Sequence, residues 1–128
     1  MRYTFKKEEK LKSGKLIDSL FESGERIKSF PLQLVYLETP HTGSFPVQVA
    51  FSVPKRNFKR AVDRNKLKRL LREAYRLHKY DLNIFQETEH TKKYIFMFIY
   101  IGKETLSYDE ITQAMLHIFS QFNLKTAL

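Results

Sequence analysis

Between Lys55 and Lys79 the chain holds 11 Lys and Arg residues against two acidic ones, Asp63 and Glu73. That segment has a net charge of +9, equal to the net charge of the whole 128-residue chain, because the remainder holds twelve basic and twelve acidic residues. Within it Arg64, Lys68, Arg72 and Arg76 recur at intervals of four, the spacing that places side chains above one another on one side of a helix. Like charges at that spacing repel by about 0.2–0.5 kcal/mol per pair. A bound polyanion relieves this repulsion, and the planar fork of Arg can engage two phosphate oxygens together. Nucleic acid is therefore the expected partner, with a membrane surface or an acidic protein as the alternatives. An interfacial membrane anchor needs a large apolar crescent with Trp or Phe. On the opposite side of this helix Leu67, Leu70, Leu71, Ala74 and Leu77 instead cluster within about 120°, a stripe suited to a protein core.

Other chemistry has little support. The four histidines, His41, His78, His90 and His117, have no metal-ligand spacing and read as surface or helix-end residues. No close carboxylate cluster of the kind used by two-metal nucleases is evident, and there is no nucleophile motif. No catalytic residue and no metal site are expected on the chain. The absence of Cys removes disulfides, thiolate ligands and cysteine catalysis, and suits a reducing cytoplasm. The longest apolar run, Tyr94 to Ile101, is eight residues, well short of the roughly 20 needed for a membrane helix. The basic N-terminus leads into no apolar signal core, so neither a membrane association nor a secretory leader is expected.

Several elements must position the basic stripe. Ser13 or Gly14 can start a first helix with Leu16, Ile17, Leu20 and Phe21 on its apolar side, stopped at Ser23-Gly24. From Pro31 the period becomes two, with Leu32, Leu34 and Tyr36 alternating with Gln33, Val35 and Leu37. After a turn over residues 39–44, Val47, Val49, Phe51 and Val53 alternate with Gln48, Ala50 and Ser52, and the two strands are expected to form a hairpin. Ala61 to His78 reads as the longest helix. Tyr94 to Ile101 is apolar on both sides and should be a central or otherwise well-protected strand. Ser107 and Glu110 form a capping box ahead of Ile111, Met115, Ile118, Phe119 and Phe122, an amphipathic last helix. The order αββαβα is that of a two-layer α+β sandwich, and 128 residues suit one domain spanning the whole chain.

The run from Phe51 to Arg76, with Arg64-Asn65-Lys66 at its centre, then Lys68-Arg69 and Arg72-Glu73, resembles the signature of the bacterial ribonuclease P protein family. Phe21 to Gly24 at the end of the first helix, the apolar strands and the closing helix extend the resemblance over nearly the whole chain. Lys66 stands where the family usually has a third Arg, keeping the charge but not the fork, and Ile17 stands where it usually has an aromatic residue. The resemblance implies a noncatalytic subunit of an RNA-based endoribonuclease, in which a catalytic RNA uses Mg²⁺ to produce the 5′ end of tRNA. No cofactor bound tightly to the protein is implied, and no obligate protein partner. Lys55, Arg56, Lys59, Arg60, Arg64, Asn65, Lys66, Lys68 and Arg69 are the implied contacts to that RNA. The 5′ leader of precursor tRNA is expected in a cleft formed by Ile17, Phe21, Gln33, Val35, Gln48, Ala50, Ser52, Lys68 and Arg72, with Phe21 able to stack on a base or to serve as a core residue. The family also implies helices on a mixed sheet with a left-handed β-α-β crossover, which sequence periodicity does not predict. Composition alone leaves open a ribosomal or other structured-RNA-binding protein with no role in cleavage.

Overall fold

The computed structural model describes residues 4–86 and 92–127, and His90 lies outside them. Three α-helices, α1 (Gly14–Ser23), α2 (Ala61–His78) and α3 (Tyr108–Thr126), pack on a sheet of four strands. The strands are β1 (Glu25–Ser29), β2 (Leu32–Glu38), β3 (Val47–Ser52) and β4 (Tyr94–Tyr100), in the spatial order β1-β2-β4-β3. The sheet is mixed: β4 runs antiparallel to β2 and parallel to β3. Helix α2 lies in the β3-α2-β4 connection between two neighbouring parallel strands.

The hairpin expected between β2 and β3 does not form, because β4 lies between them. Five of the seven β4 side chains are buried in an unbroken run, and a strand apolar on both faces gains most in the middle of a sheet. The hairpin that does form pairs β2 with β1, a strand the periodicity did not reveal. Glu25–Ser29 has a single buried apolar residue, Ile27, between exposed charged ones, a pattern typical of a sheet edge.

Each face of the sheet has its own core. On one, Leu34, Tyr36, Phe96 and Phe98 meet Leu67, Leu71 and Tyr75 of α2 and Met115, Phe119 and Phe122 of α3. On the other, Val35, Ile95 and Met97 are covered by Leu16, Ile17 and Leu20 of α1. The caps read from sequence are present: Ser13 Oγ accepts from the Leu16 amide at 3.2 Å, and Ser107 and Glu110 form the capping box. Gly24 ends α1 where a Cβ would lie 2.3 Å from the Leu20 carbonyl and 2.9 Å from Val35 Cγ1. The close approach of helix to sheet requires glycine there.

Ahead of α1 the chain runs as a strap along the outer edge of β3. The Leu11 amide donates to the Val49 carbonyl at 3.0 Å, and the Gln48 side chain donates to the Glu8 carbonyl at 3.1 Å. Phe5 packs edge-on against Tyr75 on one face, while Leu11 joins the core of the other, so the strap wraps the edge. It is fastened by a fully buried ion pair, Lys79 Nζ to Glu9 Oε1 at 2.6 Å. Nζ also donates to the Thr4 carbonyl and lies 5.4–5.8 Å from the ring centres of Phe45, Tyr80 and Phe85.

Candidate nucleic-acid interface

The buried stripe of α2 consists of Leu67, Leu71, Ala74 and Tyr75. Leu70 is only half-buried and Leu77 is exposed, so the stripe is turned toward Tyr75 from the predicted one. Tyr75 contributes much more area to the core than Leu77 could, contacting the rings of Phe5, Phe51, Phe98 and Phe119.

The basic residues are sorted by the same rotation. Lys55, Arg56, Lys59 and Arg60 are exposed in the loop before α2, and Asn65, Lys66, Arg69 and Arg72 are exposed along it. Lys68 is half-buried. The loop takes its shape from Pro54, whose carbonyl accepts from the Asn57 and Phe58 amides, and from Phe58, which is buried edge-on against Tyr100.

Three cations of the basic segment are committed elsewhere. Arg64 Nη1 donates to the carbonyls of Phe58 and Lys59, both at 2.8 Å, so this guanidinium holds the loop as well as adding charge. Arg76 forms a two-point pair with Glu73, which draws the Glu73 carboxyl below its ordinary range and raises the guanidinium. That pair removes the last member of the like-charged series. Lys79 leaves the basic surface altogether, being fully buried with Glu9.

The cleft residues also separate. Residues paired in register share a face, so the second face carries three cross-strand rows: Leu37, Ile95 and Gln48; Arg26, Val35, Met97 and Ala50; and Lys28, Gln33, Ile99 and Ser52. The first row and Val35 lie beneath the cover of α1 and the strap. Val35 is completely buried, and Gln48 is buried with its amide held by Glu8, so neither is open to a ligand as expected from sequence. Gln33, Ile99 and Ser52 remain half-buried, and Ile17 and Phe21 border them, with Phe21 45% exposed and therefore not a core residue.

Two cations on this face went unnoticed in the sequence because β1 did: Arg26 and Lys28, both exposed. Arg26 lies 6.0 Å from the centre of the Phe21 ring and donates to Gln33 Oε1 at 3.4 Å. The signal was present as the alternation of charged residues around Ile27, but only the pairing with β2 gives it a direction.

Of the histidines, His117 is exposed beside Ser29 and His78 is at the end of α2. His41 lies in the β2–β3 loop, where burial lowers its imidazole pKa and its Nδ1 accepts from the Gly43 amide at 3.2 Å. Among the described residues no three acidic or histidine side chains gather in a metal-ligating group, and no helix is long and apolar enough to cross a membrane.

Known proteins share both the sequence and this architecture. The ribonuclease P family model matches residues 5–123. The ribonuclease P protein component of Porphyromonas gingivalis is 39% identical over 95 residues, covering 73% of this chain and 69% of the relative. That of Chlorobium phaeobacteroides is 45% identical over 82 residues, covering 62% of this chain and 56% of the relative. The structure of the Staphylococcus aureus RNase P protein superposes with a TM-score of 0.70 at 16% identity, covering 89% of this chain and 94% of that one. The Thermotoga maritima protein gives 0.69 at 19% identity, covering 88% and 96%. With the family's motif on α2 and its fold throughout, the chain belongs to the ribonuclease P protein family, the protein component of a ribonucleoprotein endoribonuclease.

Proposed function

We propose that this chain binds the catalytic RNA of ribonuclease P through α2 and the loop before it, and holds the 5′ leader of precursor tRNA on the open part of the second sheet face. The observation that carries this reading is the sorting of charge on α2. Leu67, Leu71, Ala74 and Tyr75 are committed to the core, and the opposite side exposes Lys66, Arg69 and Arg72 beside Lys55, Arg56, Lys59 and Arg60. Such a surface neutralises phosphates, and counterion release makes its affinity fall steeply with salt.

Cleavage in this reading is performed by the RNA with Mg²⁺, in the cytoplasm, and the protein contributes binding. Phe21 at the border of the cleft is positioned to stack on a leader base, a contact worth about 1–3 kcal/mol. Arg64 supports the RNA surface indirectly by fixing the loop that carries Lys55 to Arg60.

The test is multiple-turnover cleavage of precursor tRNA by the catalytic RNA of the same organism at low Mg²⁺, with and without the protein, beside a protein-only control. Stimulation at the 5′ maturation site with no cleavage by protein alone is the expected result. Salt-sensitive binding to unrelated structured RNAs without stimulation would instead mark a general RNA-binding module.

A further inference from the structure

We infer that Arg26 and Lys28 form a phosphate-binding rail at the β1 side of the cleft, receiving the part of a single-stranded RNA that has already crossed the sheet. The inference rests on the leader-binding reading above and adds a second wall to it. Arg26 pairs with Val35 and Lys28 with Gln33, so both cations share the face that carries the cleft, and both are exposed.

The geometry joins these cations to the two residues best suited to hold a base. The guanidinium of Arg26 lies 6.0 Å from the centre of the half-exposed Phe21 ring and bonds Gln33 at 3.4 Å, so one side chain links α1, β1 and β2. An aromatic face, an amide and a guanidinium together offer stacking, a base-edge hydrogen bond and a phosphate contact.

The row Lys28, Gln33, Ile99 and Ser52 crosses all four strands, about 14 Å at the usual strand spacing. At its β3 end the chain continues directly from Ser52 into the exposed cations Lys55 and Arg56. A strand of RNA laid along that row therefore meets positive charge at both ends and neutral polar or apolar side chains between. This arrangement places the basic loop at one end and the rail at the other.

Charged residues on an edge strand also discourage sheet-to-sheet association, and that role alone would give no dependence on RNA length. The discriminating experiment is precursor tRNA affinity, measured against salt, for the reconstituted ribonucleoprotein with short and long leaders. The double variant Arg26→Ala/Lys28→Ala is compared with the parent and with Arg26→Lys, and folding is checked by circular dichroism. Each phosphate contact to a single strand contributes about 0.7 to the log–log salt slope, so the double variant should lower the long-leader slope by about 1.4. Its affinity for the long leader should fall about tenfold or more at low salt, with the short leader and the catalytic RNA bound as before. Arg26→Lys should keep the slope. Loss of affinity that is equal for both leaders, or an unchanged long-leader slope, would overturn the rail. If the parent itself gained nothing from a longer leader, the leader-binding reading would fall first and the rail with it.

Discussion

Lys79→Met should be among the most destabilising single substitutions available in this protein, although it replaces a charged residue by an apolar one of similar length in the interior. Both members of the Lys79–Glu9 pair are completely buried, and their polar atoms are satisfied: Glu9 Oε2 accepts from the Lys6 amide at 2.8 Å, and Lys79 Nζ bonds Glu9 and the Thr4 carbonyl. Removing the ammonium leaves a carboxylate with one amide partner in a site lined by Phe45, Tyr80 and Phe85. Breaking one side of a buried pair costs about 3–5 kcal/mol, a large share of the roughly 5–15 kcal/mol that holds a domain together. With a urea m-value of about 2 kcal/mol/M the midpoint should fall by about 2 M. The double variant Glu9→Gln/Lys79→Met keeps an acceptor for Lys6 and removes both charges, so it should recover most of the loss and give a coupling energy of about 3 kcal/mol or more. Exchange of the Leu11 amide, bonded to Val49 across the strap, should accelerate in Lys79→Met. A single variant within about 1 kcal/mol of the parent, or a double variant equal to the sum of the singles, would refute the strap as a fastened element.

Leu71→Ala should cost about 2–5 kcal/mol in chemical denaturation, whereas Leu77→Ala on the exposed side of the same helix should stay within about 0.5 kcal/mol. Equal costs would mean that the helix is rotated from its position here. Arg64→Ala should weaken catalytic-RNA binding and also cost about 1 kcal/mol, since its bonds to the Phe58 and Lys59 carbonyls are partly exposed; faster amide exchange over residues 55–60 would report the loosened loop. An unchanged loop would show that Arg64 acts by charge alone. His41 has an imidazole pKa below its ordinary 6.5 because burial disfavours the cation, so the unfolded chain takes up the proton more readily than the folded protein. Stability from this site is fully present above about pH 6.5 and is lost as pH falls through the lower folded value; His41→Gln should flatten the unfolding free energy below about pH 6.5, and an unaltered pH profile would exclude the site.

The elements legible in the sequence were those whose pattern involves only near neighbours. The bounds of α2, the Ser13 and Ser107 caps and the central position of β4 followed from period, capping chemistry and an unbroken apolar run. Strand β1 did not, because an alternation around one buried side chain is too short to mark a strand, and its identity comes from pairing with β2. The strap escaped notice for the same reason: Glu9 and Lys79 are 70 positions apart, and each looks like a surface charge until the fold brings them together. At the site, the basic residues were evident from composition, but their division among exposed surface, loop support and ion pair depends on a rotation of α2 that the choice between Leu77 and Tyr75 decides.

The groove itself follows from how three helices cover two faces. Helices α2 and α3 share the face bearing Tyr36, Phe96 and Phe98 and close it, while the ten-residue α1 and the strap cover the other. Together they cover the row of Leu37 and Ile95 and the row of Val35 and Met97, and leave the third row half-buried. The row left open therefore has to tolerate water, and it carries Lys28, Gln33 and Ser52, with Ile99 the one apolar member. An apolar residue at Gln33 would have favoured further cover or self-association. The polar choice lets that row stay uncovered, while Gly24 seats the end of α1 close against Val35.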